Sequence, residues 1–244
     1  MGGTILWDVD TQVDFIEPGG KLYFEGAEGA RPAMGRLVDA ARAAGAVHVA
    51  SCDQHELSDP EISQEPDFDS TWPPHCLLGT RGAEKIPETK QLDPVPLPLV
   101  PLPSAILRRL LEGGREILIP KKQYDPFTNP NTETMLAALD PDEILLFGVA
   151  TDICDDAAVR ALLRRGRRIT FVEDASRGGR VADRGMPRGL ARSRSALHDR
   201  RRGGRLTRLR DASLPADETL RWWRTGSIGL RISPRPGCPS RSSS

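Results

Sequence analysis

The feature that most constrains this chain is a recurrence of short apolar runs, each closing on polar residues and separated from the next by a stretch of helical spacing. Residues 4–9 (TILWDV) and 47–52 (VHVASC) read as buried strands. Between them Met34, Leu37, Val38 and Ala41 recur at helical intervals across residues 30–44, and Gly45 supplies a stop signal. The alternation continues with a helix over 106–111, a strand over 116–120 (EILIP) and a helix over 132–139. It ends with a strand over 143–149 (EILLFGV), a helix over 152–165 and a strand over 168–173 (RITFVE). Such alternation predicts an α/β fold: a central parallel sheet in a three-layer α/β/α, Rossmann-like arrangement. Two stretches break the pattern. Residues 54–92 form a connection too rich in Pro, Asp and Glu for a strand or helix, and connections of that length are usually functional. Residues 93–103 (DPVPLPLVPLP) read as an extended connector.

At 244 residues, with 38% hydrophobic and 28% charged, the chain suits one ordinary globular domain or at most two. A domain of this size buries about 70–75% of its unfolded surface and needs no covalent staple. No stretch approaches the roughly 20 apolar residues of a membrane helix, and the N-terminus lacks a basic segment followed by an apolar one, so the expectation is a cytoplasmic protein. Cys52, Cys76, Cys154 and Cys238 are widely spaced without a CxxC, which excludes a disulfide framework and leaves thiol chemistry to a single cysteine.

The zero net charge hides a division. Residues 1–176 carry 17 Lys+Arg against 29 Asp+Glu, whereas 177–244 carry 17 Arg, no Lys and 5 Asp+Glu. The chain is therefore read as an α/β domain over 1–176 followed by an Arg-rich segment over 177–244.

Ligands of open parallel sheets bind outside the carboxyl ends of the strands. There the sequence places Asp10 and Asp14 after the first strand, Asp53 and His55 after the second, Lys121 after the third, and Cys154 at the start of a helix after the fourth. A cysteine near a helix N-terminus has its thiolate favoured by the backbone N–H groups. Alone it reads as a small buried filler, but a carboxylate and a lysine from neighbouring strand ends complete an acid–base–nucleophile set. Asp53, His55 and His75 supply carboxylate and imidazole ligands of the kind that hold Zn²⁺, Fe²⁺ or Mn²⁺, with Glu61 or Glu65 available as a fourth; equally, both histidines suit loop residues bonded to backbone. Phe15, Trp72, Tyr124 and Phe127 are aromatics beside these polar residues and could wall a planar ligand.

Four segments, in order, carry a family resemblance: residues 10–15 (DTQVDF), 53–55 (DQH) with 72–76 (WPPHC), 121–127 (KKQYDPF) and 148–154 (GVATDIC). The chain resembles the isochorismatase-like cysteine hydrolases, and within them the nicotinamidases. The resemblance implies Asp10 as general base, Cys154 as nucleophile and Lys121, three residues before Tyr124, as the active lysine. Asp14 matches a structural aspartate. It further implies a cis peptide between Val149 and Ala150, with the N–H groups of Ala150 and Cys154 as the oxyanion hole. A divalent metal on Asp53, His55 and His75, with Glu61 as the extra ligand, and Phe15 and Trp72 flanking the substrate ring, complete the expectation. The implied reaction is acyl transfer from a small amide through a Cys154 thioester, in a homo-oligomer with no membrane partner. Another small amide or vinyl ether is the neighbouring reading of substrate.

Past Ser176 the resemblance stops. Relatives continue with a helix and a final strand, so the sheet is expected to be incomplete at its C-terminal end. The abrupt charge switch, with runs such as Arg200-Arg201-Arg202, suggests a shifted reading frame. A nucleic-acid-binding tail on an inactive hydrolase fold is the reading from a different functional class.

Overall fold

The structure is a computed structural model that describes residues 3–178 and 204–207. Seven strands form one parallel sheet: β1 (Thr4–Val9), β2 (His48–Asp53), β3 (Val95–Pro96), β4 (Glu116–Lys121), β5 (Glu143–Gly148), β6 (Ile169–Val172) and β7 (Gly204–Thr207). Their spatial order is β3-β4-β2-β1-β5-β6-β7, which sets β1 at the centre with β2 on one side and β5 on the other. The helices are α1 (Val13–Ile16), α2 (Arg31–Ala43), α3 (Ser104–Leu110), α4 (Thr132–Leu139) and α5 (Cys154–Arg164).

The period of two along each strand decides which layer a residue joins. Ile5, Trp7 and Val9 of β1 pack with Ile144 and Leu146 of β5 beneath α3, α4 and α5, which contribute Leu107, Leu136 and Leu162. Leu6, Leu145 and Phe147 point to the other face, onto Met34, Leu37 and Val38 of α2. Both faces are thus covered, which is why the strands read as near-continuous apolar runs.

Three local differences from the sequence reading have simple causes. The helix expected from residue 152 begins at Cys154, because residues 151–153 are taken up by a turn in which Ile153 N–H and Asp155 N–H both donate to the Ala150 carbonyl. Within the proline-dense connector, Val95 and Pro96 pair with Ile117 and Leu118 of β4; the proline is tolerated because this is the sheet edge. Beyond Ser176, where the sequence suggests an incomplete sheet end, the strand Gly204–Thr207 runs parallel to β6, from Ile169↔Gly204 to Val172↔Thr207. An edge strand needs a backbone ladder rather than an apolar run, so its sequence gave no warning. The rest of the Arg-rich segment, and with it the readings of a shifted frame and a nucleic-acid tail, lies outside the described residues. No helix among the described residues is long and apolar enough to cross a membrane.

The long 54–92 connection is tied to the sheet at several points. The Gln12 side chain donates to the carbonyls of Asp53 (2.8 Å) and Ala83 (2.9 Å) and accepts from Asp53 N–H (2.7 Å). Lys85 reaches the buried Asp8 carboxylate at 3.0 Å, and Asp14 accepts from Cys76 N–H at 2.7 Å. At the end of β5, Gly148 adopts φ +151°, and a Cβ there would lie 2.1 Å from the Val9 carbonyl oxygen of β1. Only glycine lets these two strands approach so closely.

Candidate active site and metal centre

The carboxyl ends of β1, β2 and β4 and the first turn of α5 converge on one buried cluster. Asp10 leaves β1 in a left-handed conformation (φ +51°), a region that aspartate tolerates better than most side chains. Its carboxylate accepts from Ser51 Oγ at 2.7 Å and lies 2.8 Å from Lys121 Nζ. The same ammonium contacts the Asp53 carboxylate and stands 3.9 Å from Cys154 Sγ. Asp10, Asp53, Lys121 and Cys154 are all buried.

A single cation between two carboxylates sets the charge balance. Burial works against the Lys121 charge, but Asp10 and Asp53 outweigh it and hold the amine protonated well above its ordinary range. Burial raises the Asp10 carboxyl, with Lys121 opposing and Asp53 adding to the rise. For Asp53 burial is overcome by Lys121 and the two histidines, which hold its carboxyl below its ordinary range. The Cys154 thiol is governed by its burial. Burial pushes the thiol well above its ordinary value despite Lys121, because desolvation exceeds what one helix turn and one shared cation supply. Burial thus raises both the Cys154 thiol and the Asp10 carboxyl beside it.

Asp53, His55 and His75 place three ligand atoms within 4.8 Å of one another. His75 Nδ1–H donates to the Pro73 carbonyl (2.8 Å), and His55 Nδ1–H to Asp59 (3.3 Å), so both rings direct Nε2 toward Asp53, at 3.8 and 4.0 Å. His55 Nε2 is fully buried and has no hydrogen-bond partner among the described residues. An orphaned buried nitrogen is costly unless something occupies its lone pair. Burial, the largest influence, lowers the His55 pKa and keeps the ring neutral. Two imidazoles and one carboxylate are a donor set that fits a divalent transition metal with positions left open. Glu61 lies outside this three-residue cluster, although it is buried and lines the same pocket; burial, then the Asp53 charge, pushes its carboxyl up to about 7.

Beside these groups a cleft is walled by Phe15, Leu22, Phe24, Trp72, Tyr124 and Ile153, with Ala150, Asp53, Glu61, His75 and Cys154 also on its lining. Phe15 and Trp72 are where the sequence placed them. Trp72 Nε1–H donates to Tyr124 Oη at 2.7 Å, and that hydroxyl donates to the Asp69 carbonyl at 3.0 Å, so the wall is cross-braced. Phe127 is corrected: it is not on the cleft but stacks on Trp7 (6.3 Å between centroids) under the Arg165 guanidinium. Asp125 caps the turn Pro126–Thr128 through Phe127 N–H (2.8 Å), and the ring packs into the apolar layer of Trp7 rather than that of Phe15 and Trp72. Sequence reasoning missed Leu22, Phe24 and Ile153, which come from irregular segments with no periodic signal. A larger groove at the other end of the sheet, beside His48 and Glu116, contains none of the cluster's groups. The Val149–Ala150 bond is cis.

Residues 103–186 match the isochorismatase domain family. The chain is 30% identical over 174 residues to the nicotinamidase/pyrazinamidase of Mycobacterium tuberculosis, covering 70% of this chain and 84% of that protein. Among solved structures, the pyrazinamidase of Pyrococcus horikoshii in complex with zinc superposes with a TM-score of 0.61 at 22% identity, over 85% of this chain and 99% of that one. The N-carbamoylsarcosine amidase of Thermoplasma acidophilum superposes with a TM-score of 0.61 at 23% identity, over 87% and 99%. With its domain match, its relative and its parallel α/β architecture in agreement, this chain belongs to the isochorismatase family of hydrolases.

Proposed function

We propose that this hydrolase is a metal-dependent cysteine amidohydrolase that converts nicotinamide and water to nicotinic acid and ammonia. The observation that carries the reading is that Cys154, Asp53 and His75 line one aromatic-walled cleft, with Lys121 and Asp10 behind Cys154 and His55 completing the Asp53–His55–His75 donor cluster. Asp10, with its raised basicity, takes the Cys154 thiol proton as the sulfur attacks the carboxamide carbon. Lys121 remains charged and stabilises the anionic sulfur and then the carboxylate neighbours. The N–H groups of Ala150 and Cys154 stabilise the tetrahedral oxyanion, where one donor is worth about 3–4 kcal/mol of barrier. Asp10 returns the proton as ammonia leaves, and water then hydrolyses the Cys154 thioester with Asp10 again as base. A bound metal on Asp53, His55 and His75, with Glu61 nearby as a further candidate ligand, supplies a Lewis-acid position that can hold a pyridine nitrogen. Phe15 and Trp72 flank the ring plane.

The test is ammonia release from nicotinamide by purified protein, with metal content assayed on the same sample. Release from metal-loaded protein supports the reading; none from folded, metal-loaded protein overturns nicotinamide as substrate. The pH profile gives a second check. Asp10 acts as a base only when deprotonated and its carboxyl is raised. The value of kcat/KM should therefore fall as pH drops through a point above the ordinary carboxylate value of 3.8. An acid limb at or below that value would remove Asp10 from the role.

A further inference from the structure

We infer that Asp59, clamped by Lys122, is a positioning residue that locks the His55 imidazole in the tautomer presenting Nε2 to a divalent cation; this rests on the metal-bearing reading above. Lys122 has no place in the acid–base set, although it follows Lys121 directly. Its ammonium instead lies 2.8 and 3.1 Å from the two Asp59 oxygens, with Glu56 at 3.8 Å. Asp59 Oδ2 also accepts from Glu56 N–H at 2.8 Å, so three contacts fix its orientation. That fixed oxygen is the one facing His55 Nδ1 at 3.3 Å.

The chemistry follows from what each group can do. An ionised carboxylate paired with an ammonium only accepts hydrogen bonds, so the nitrogen facing it must carry the ring proton. In a neutral imidazole the other nitrogen then keeps its lone pair. Here that nitrogen is the buried, unpartnered His55 Nε2 aimed at Asp53. Outer partners of this kind set the tautomer and orientation of a ligating histidine, and losing one typically costs about 10–100-fold in metal affinity. His75 reaches the same end by other means, through the Pro73 carbonyl, and so serves as an internal control. The plainer role for Asp59 is to cap the 56–59 turn, and the experiment must separate the two.

Full-length protein, stripped of metal, would be titrated with Zn²⁺ against a chromophoric chelator for the wild type, Asp59→Asn, Asp59→Ala and Lys122→Met. Metal-free samples would be compared by ¹⁵N NMR of the imidazoles. The expected result is Zn²⁺ affinity about 10–100-fold weaker in both Asp59 variants, with a smaller loss in Lys122→Met. His55 should be protonated at Nδ1 in the wild type and shift toward Nε2–H in the Asp59 variants, while His75 stays unchanged. A turn cap alone would lower melting temperature without moving either readout. If wild type binds Zn²⁺ and the variants match it in affinity and tautomer, the inference is overturned while the metal reading stands. If wild type binds none of Zn²⁺, Fe²⁺ or Mn²⁺, both fall. Should Asp59→Ala fail to fold, the near-isosteric Asp59→Asn and the part-exposed Lys122→Met carry the same comparison.

Discussion

Replacing Cys154 by alanine is expected to reduce ammonia release by at least about 10⁴-fold, because a nucleophile and its base act as one unit and the residual rate comes only from binding and the oxyanion donors. The variant should keep its fold, since the β-carbon remains in the apolar layer that Cys154 shares with Ala158 and Leu162. It should also still bind nicotinamide by calorimetry, because the aromatic wall and the metal ligands are untouched. The sharp contrast between lost turnover and retained binding is the diagnostic. An alanine variant that kept about one hundredth of the wild-type rate would mean that another group forms the covalent bond.

The second large effect concerns stability. In metal-free protein, Lys121→Met should destabilise the fold by about 3–5 kcal/mol at neutral pH, the usual cost of leaving buried charge without its partner. In a chain of this size each kcal/mol moves the melting temperature by about 2–4 °C. The reason is visible in the site: one ammonium serves both Asp10 and Asp53, so its loss strands two carboxylates. The sign with pH follows. Without Lys121 both carboxyls are raised by burial and by each other, so the folded state binds protons more readily than the unfolded chain. The deficit should be full at neutral pH and narrow as pH falls through the raised values. Denaturant melts at pH 7.5 and pH 5 read this directly. Equal stability of variant and wild type at neutral pH would contradict the shared-cation arrangement.

Much of this was legible before any coordinates. The strands at Thr4–Val9, Glu116–Lys121 and Glu143–Gly148 lie buried on both faces, and a run such as ILLF can do little else in a domain of this kind. Asp10, Asp53, Lys121 and Cys154 were legible as a set because parallel strands deliver their carboxyl ends to one edge. What a sequence does not show is where a turn aims a side chain. Phe127 sits six residues from Lys121, yet beyond the Asp125 cap it packs against Trp7, off the cleft wall formed by Phe15 and Trp72. The upward push on the Cys154 thiol was not legible for a related reason. Helix position can be read from a sequence, whereas complete burial among two carboxylates cannot. Leu22 and Phe24 reach the cleft from an irregular segment held by long-range backbone bonds, such as Leu22 N–H to the Asp14 carbonyl (3.1 Å) and Phe24 N–H to the Phe15 carbonyl (3.0 Å).

The contact between Gly148 and Val9 bears on how such a hydrolase can diversify. The strand that leads to Cys154 and the strand that leads to Asp10 touch through bare backbone, with no side chain between them to be exchanged for a longer or shorter one. Their separation is thus a constant for any descendant of this chain, and a mutation at position 148 would wedge the two apart by an amount that no repacking could absorb. Phe15, Leu22, Phe24 and Trp72 are different, because each enters the cleft by its side chain alone. Evolution toward new amides would then proceed by redrawing that wall around reacting groups whose spacing is inherited unchanged.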